Sequence, residues 1–98
     1  MQTTPGNGAG AYIYTSPNFQ GSWTFIPGNA YCTDIVNLFG NFYNNVRSVS
    51  VSPGYNCEFY VKPACANDGP KFELDSKAKK ARLSQYDYKI QSVFCAVA

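Results

Sequence analysis

The chain has 98 residues, of which 16% are aromatic and only 14% charged, so it carries enough apolar surface for one core and too little charge for a disordered segment. No apolar run approaches the roughly 20 residues that cross a bilayer, which excludes a helical membrane span, and the formal charge of +2 is too small to point to nucleic acid. Neither a membrane nor a nucleic acid is therefore expected as a partner, and a monomer is the expected state.

Residues 1–10 are rich in Thr, Gly, Pro and Asn and are expected to form a flexible N-terminal arm, with one domain over 11–98. Tyr12, Ile13 and Tyr14 are strand formers, Pro17 presets a turn and Gly21 tolerates a positive φ, so Tyr12 to Gly21 reads as a folded hairpin. Its return strand runs through Ser22-Trp23-Thr24-Phe25 to the turn signal Pro27-Gly28-Asn29. Tyr14 and Phe19 are spaced so that one ring lies across the backbone near Gly21. A third strand is expected from about Ala30-Tyr31. A short helix then covers Ile35, Val36, Leu38 and Phe39, capped by Thr33 or Asp34 and closed by Gly40. Val46 to Val51 alternates as a strand does, up to the break at Ser52-Pro53-Gly54.

The pattern then repeats. Cys57-Glu58-Phe59-Tyr60-Val61-Lys62-Pro63 falls on Ala11 to Pro17 with an offset of 46, and Tyr86 to Val93 falls on Phe42 to Val49 with an offset of 44. Two strand-rich units, motif one over about 11–52 and motif two over about 55–97, imply an internal duplication. Neither unit buries both faces of a sheet alone, so the two are expected to pack as a sandwich.

Cys32, Cys57, Cys65 and Cys95 allow three pairings if all are bridged. With no CxxC pair and no His, the set does not suit structural zinc. Two disulfides point to a secreted or extracellular setting over a cytoplasmic one, although Met1 to Thr4 lacks the basic and apolar regions of a signal peptide.

The run from Tyr14 to Gly21 resembles the signature of the βγ-crystallin Greek key: an aromatic, four residues, an aromatic, one residue, a glycine. Asn44-Asn45-Val46-Arg47-Ser48 is similar to the segment that closes that motif, and Ser48 and Ser92 recur at equivalent places. The resemblance spans about 11–97 and implies an all-β, βγ-crystallin-like sandwich of two Greek key motifs with a short helix. The second copy departs from it, with Cys65-Ala66-Asn67-Asp68-Gly69 where the first has Phe19-Gln20-Gly21. By the same resemblance, Cys57 is expected to pair with Cys95 and Cys32 with Cys65.

The resemblance also implies two shared calcium sites, each reading Asn/Asp, Asn/Asp, any, any, Ser/Thr, Ser. Aligning Ser92 with the last position gives Asp87-Tyr88-Lys89-Ile90-Gln91-Ser92, and the repeat gives Tyr43-Asn44-Asn45-Val46-Arg47-Ser48 as its partner. Asn44, Asn45, Asp87 and Gln91 are thus candidate ligands. The hydroxyl position is held by Gln91 in one copy and by Arg47 in the other. Arg has no acceptor and adds a positive charge, so calcium binding is expected to be weak or lost, and no cofactor is expected. Starting the motif at Asn44 would bring a hydroxyl to the ligand position, but it would break the match of Val46 with Ile90, expected to be a buried pair.

Catalysis is poorly supplied. Without His the common general base is missing, and among Asp34, Glu58, Asp68, Glu73, Asp75 and Asp87 the nearest carboxylate pair in sequence is Glu73 with Asp75. Lys77, Lys79, Lys80 and Arg82 form a basic cluster, read as a solvated loop with polyanion binding as a lesser reading. The expected protein is a non-enzymatic, highly stable structural, stress or storage protein. The alternative is a secreted protease inhibitor or antifungal toxin of the same fold, acting through an exposed loop at Ala64 to Pro70.

Overall fold

The computed structural model describes residues 8–38, 40 and 42–98. It contains eight strands: β1 (Ala9–Ser16), β2 (Gln20–Pro27), β3 (Cys32–Asp34), β4 (Ser48–Val51), β5 (Tyr55–Tyr60), β6 (Lys71–Leu74), β7 (Lys79–Lys80) and β8 (Ser92–Val97). They form two antiparallel sheets in the orders β2-β1-β4-β7 and β3-β8-β5-β6. The proposed N-terminal arm lies outside the described residues from 1 to 7, and β1 begins two positions ahead of the expected Ala11.

Alternation along each strand sorts the side chains between core and solvent. Ala11 and Ile13 of β1 are fully buried, as are Ile26 of β2 and Val49 of β4 on the same inner face. Phe59, Val93 and Cys95 of the second sheet are equally buried. Val46, Ile90, Ile35 and Leu83 fill the space between the sheets from the connecting segments. Val46 and Ile90, at matching places in the two repeats, are both at 0% exposure.

The duplication is visible as an exchange of strands. β3 belongs to the first repeat yet pairs with β8 of the second, while β7 of the second repeat pairs with β4 of the first. Each sheet therefore contains three strands of one unit and one of the other.

Each hairpin is fastened by one buried serine. Ser48 Oγ donates to Ser16 O at 2.7 Å and accepts from Phe19 N–H at 3.1 Å. Ser92 Oγ donates to Lys62 O at 2.5 Å and accepts from Cys65 N–H at 2.9 Å. The hairpins share their backbone geometry as well: Asn18 and Phe19 have φ of 61° and 59°, and Ala64 and Cys65 have 59° and 51°. Such values are uncommon outside glycine, and two serines bonded across the turns hold them in place. Cys65 thus occupies the place of Phe19, and its sulfur is joined to Cys32.

In the first hairpin Tyr14 and Phe19 meet edge to face with centroids 5.5 Å apart. Gly21 has φ +78°, and a Cβ there would fall 2.6 Å from Thr15 Oγ1 and 2.8 Å from Ser16 Oγ. Glycine is needed for that angle and for the room those two hydroxyls occupy.

The expected helix is reduced to a single 3₁₀ turn, Ile35–Asn37, and Phe39 lies outside the described residues. Asp34 precedes the turn without capping it. Its Oδ1 instead accepts from Ala64 N–H at 2.7 Å, tying the second hairpin to β3.

Candidate metal centre

The two loops aligned with calcium motifs, 43–48 and 87–92, have matching backbones. Asn44 and Tyr88 have φ of 57° and 65°. Asn45 N–H bonds Phe42 O at 3.0 Å, and Lys89 N–H bonds Tyr86 O at 2.9 Å. Each loop is then anchored to the strand preceding its hairpin: Arg47 N–H donates to Tyr14 O and Gln91 N–H to Tyr60 O, both at 2.9 Å. The loops touch where Tyr88 N–H reaches Val46 O at 3.2 Å.

Arg47 and Asp87 meet at that junction. Arg47 Nε lies 3.1 and 3.3 Å from the two oxygens of Asp87, and Nη2 lies 3.0 Å from Oδ2. The guanidinium also sits 4.5 Å from the centre of the Tyr88 ring. The fifth position of the first loop thus grips the first two positions of the second, by a forked charge-assisted contact and a cation–π contact. Hydrogen bonding to Asp87 raises the pKa of Arg47 beyond its usual value, against an opposing effect of desolvation.

These residues do not fit calcium. A calcium ion needs several hard oxygen donors with negative charge nearby, whereas the only carboxylate of the two loops is committed to a guanidinium. A recess of about 180 Å³ beside the pair is lined by Pro17, Arg47, Arg82, Leu83, Ser84 and Asp87, two cations against one anion. The corresponding motif positions of the other pairing hold Tyr43 and Gln91 in place of carboxylate and hydroxyl. Among the described residues no three His, Cys, Asp or Glu side chains come together as a metal-holding group. The Arg47–Asp87 pair was not anticipated from the sequence; the available signal was the motif alignment itself, which sets Arg47 and Asp87 at complementary positions of the two copies.

The carboxylates pair differently from the sequence expectation. Glu73 faces Glu58 across β5 and β6, not Asp75. Glu58 also accepts a hydrogen bond from the Tyr60 hydroxyl. The bond to Glu58, with partial burial and the neighbouring charge, raises the pKa of Glu73. Partial burial works to raise Glu58 too, but bonds from Tyr60 and Glu73 and the charge of Lys71 bring it below the usual carboxylate range. Burial and the bond to Glu58 push the Tyr60 phenol well above its usual range. The two carboxylates thus stand side by side on an outer sheet face. A group with a raised folded pKa contributes fully below its unfolded pKa and loses that contribution as pH rises through the folded value. Glu58, lowered, contributes above its unfolded pKa and loses this as pH falls. Glu73→Gln keeps the bond and removes the repulsion, so it should stabilise the protein by about 0.2–1 kcal/mol at pH 7 and give no gain at about pH 4, where Glu73 is already protonated. Thermal melts at the two pH values check this, and an equal gain at both would refute it.

The basic cluster is not one patch. Lys79 and Lys80 form β7, where Lys79 leans over Phe19 and Lys80 over Phe72. Arg82 lines the recess beside Asp87. The solvated-loop reading therefore gives way to a short strand whose cations point to different surfaces.

The cysteines are joined Cys32–Cys65 and Cys57–Cys95. Cys57 and Cys95 are register partners on β5 and β8, and Cys32 and Cys65 bind β3 to the second hairpin.

The sequence matches no family model, and no curated protein is similar to it. Solved structures are similar over nearly the whole chain. One, from work on the evolution of the eye lens βγ-crystallin domain fold, has a TM-score of 0.77 at 24% identity and covers 97% of this chain and 94% of its own. The N-terminal domain of Protein S has a TM-score of 0.77 at 22% identity, over 92% of this chain and 98% of its own. A βγ-crystallin domain from Flavobacterium johnsoniae has a TM-score of 0.75 at 16% identity, over 89% and 93% respectively. Over the described residues the chain forms a single domain of the βγ-crystallin fold.

Proposed function

We propose that this is a non-enzymatic structural protein whose usefulness lies in its durability, and that it works without calcium. The observation that carries the reading is the Arg47–Asp87 contact. The motif that the sequence resembles implies a calcium ion shared between the two loops; here a side chain of the protein links them, so this contact needs no ion. Two disulfides support work in an oxidising compartment, where they persist. The absence of His and the open setting of the Glu58–Glu73 pair support the non-enzymatic part.

Isothermal titration tests this. The wild type is expected to give no calcium affinity tighter than millimolar, and its melting temperature should not move with calcium. Arg47→Ser frees Asp87 and supplies the hydroxyl, and should bring binding at least about tenfold tighter than wild type. Micromolar affinity in the wild type would end the reading.

The inhibitor reading rests on a different observation. The exposed loop from Ala64 to Pro70 is pinned at its base by the Cys32–Cys65 bridge and the Asp34 and Ser92 contacts. Lys62 and Asp68 close it at 3.2 Å. Inhibition assays against a panel of proteases separate it from the structural reading, under which the protein is inert.

A further inference from the structure

The outer face of the first sheet carries an arrangement that neither the loops nor the core explains. Register places Phe25 of β2 beside Tyr12 of β1, Tyr12 beside Ser50 of β4, and Ser50 beside Lys79 of β7. One row across the sheet thus reads aromatic, aromatic, hydroxyl, ammonium. At the strand spacing of about 4.8 Å it spans roughly 14 Å. The neighbouring row adds Trp23 beside Tyr14. Trp23 is 60% exposed and Phe25 47%, a large apolar outlay for a surface left open among the described residues.

The face is recessed. A hollow of about 320 Å³ is lined by Tyr12, Tyr14, Phe19 and Trp23. A second, of about 540 Å³, is bounded by Tyr12, Ser50, Val51, Ser52, Pro53, Lys77 and Lys79. Tyr12 borders both, so they adjoin as one shallow, open trough with a ring-lined end and a cationic, hydroxyl-bearing end. No strand of this sheet contains a carboxylate, and the nearest in sequence is Asp75, before β7. Every strand of the opposite sheet except β8 carries one. The charge on this face is thus unopposed and complementary to an anion.

We propose that this trough binds an acidic polysaccharide, the rings stacking on the C–H faces of its sugars and Lys77 and Lys79 meeting its carboxylate or sulfate groups. The tyrosine and serine hydroxyls suit a ligand rich in hydroxyls. Single-stranded nucleic acid is the less suitable occupant. Tyr12 meets Trp23 at 63° and Tyr14 meets Phe19 at 73°, which gives a stepped surface and not parallel slots for flat bases. Two lysines, moreover, track few phosphates. The length of the row suits a short run of sugars better than a single one.

Affinity electrophoresis through gels containing polygalacturonate, dextran or neither tests the proposal, with an oligothymidylate titration alongside. Polygalacturonate is expected to retard the protein and dextran to leave it unaffected. Trp23→Ala should weaken retardation about tenfold. Lys79→Ala should weaken it several-fold and reduce its dependence on salt. Lys89→Ala, outside the trough, should have no effect. Both trough side chains are exposed, so the variants should melt with the wild type; if Trp23→Ala does not fold, Lys79→Glu carries the test. Equal retardation by dextran, tighter binding of oligothymidylate, self-association abolished by the same substitutions, or no retardation at all would each overturn it.

Discussion

Removing the bridge between Cys57 and Cys95 with the double substitution Cys57→Ala, Cys95→Ala is expected to lower the melting temperature by roughly 15–30 °C. The bridged residues are 38 apart in sequence, and releasing a loop of that length gives the unfolded chain an entropy worth about 4 kcal/mol. Cys32 and Cys65, 33 apart, enclose nearly as long a loop, so chain entropy alone predicts almost the same loss for either bridge. Packing separates them. Cys57 and Cys95 are 1% and 0% exposed, and a Cβ at Gly10 would lie 2.6 Å from Cys95 Cβ, so the inner bridge fills a tight gap between β1 and β8. Cys32 is exposed, and losing its bridge frees a surface loop. The inner pair should therefore be the more damaging loss, and the outer bridge the first to yield to a mild reductant. Calorimetry of both double variants, with mass mapping of partly reduced protein, decides it; a drop of less than about 5 °C for the inner pair would refute the account.

Phe59→Ala is expected to cost about 3–5 kcal/mol. Phe59 is fully buried near the C-terminal end of β5. Its ring stacks on Phe72 at 4.9 Å, and Phe72 in turn meets Tyr86 at 4.7 Å. Deleting the ring removes its own burial and the support of two others, and because β5 lies between β6 and β8, the backbone has little freedom to collapse into the void. Since domains of this size are stable by roughly 5–15 kcal/mol, the variant should lose a large part of its stability in urea. Phe59→Leu, which keeps most of the volume, should cost about 1.5 kcal/mol or less. Similar losses for the two would show that the stack contributes little.

Local chemistry in the sequence carried the first hairpin well. Pro17, Gly21 and the two rings each state a preference confined to a few residues, and the structure follows them. The second copy was readable only by comparison, and Cys65 standing at the place of Phe19 shows a covalent bond at a position where the first hairpin has a ring contact. What escaped was long-range. Nothing in Cys32–Asp34 says that it pairs with β8, because a three-residue strand carries no code for its partner. Arg47 was readable as hostile to a cation, but its contact with Asp87 joins residues 40 apart and appears only when the two loops are side by side. The expected short helix is a single 3₁₀ turn, and the carboxylate of Asp34, read as its cap, is instead bonded to the backbone of Ala64. The row of Phe25, Tyr12, Ser50 and Lys79 is invisible in sequence because its members come from four strands.

The exchange of β3 and β7 bears on how the protein is made. A ribosome delivers the chain from its N-terminus, and β1, β2 and β4 can assemble as soon as Val51 has emerged. The second sheet closes later: β8, made after β3, β5 and β6, is the strand that stands between β3 and β5. Until it arrives, β3 has no neighbour, Cys95 is not available to Cys57, and Ser92 cannot fasten the second hairpin. The nascent chain must therefore wait, half built, with the inner face of its first sheet uncovered, and in that interval a chaperone or a second nascent chain has its best opportunity to intervene.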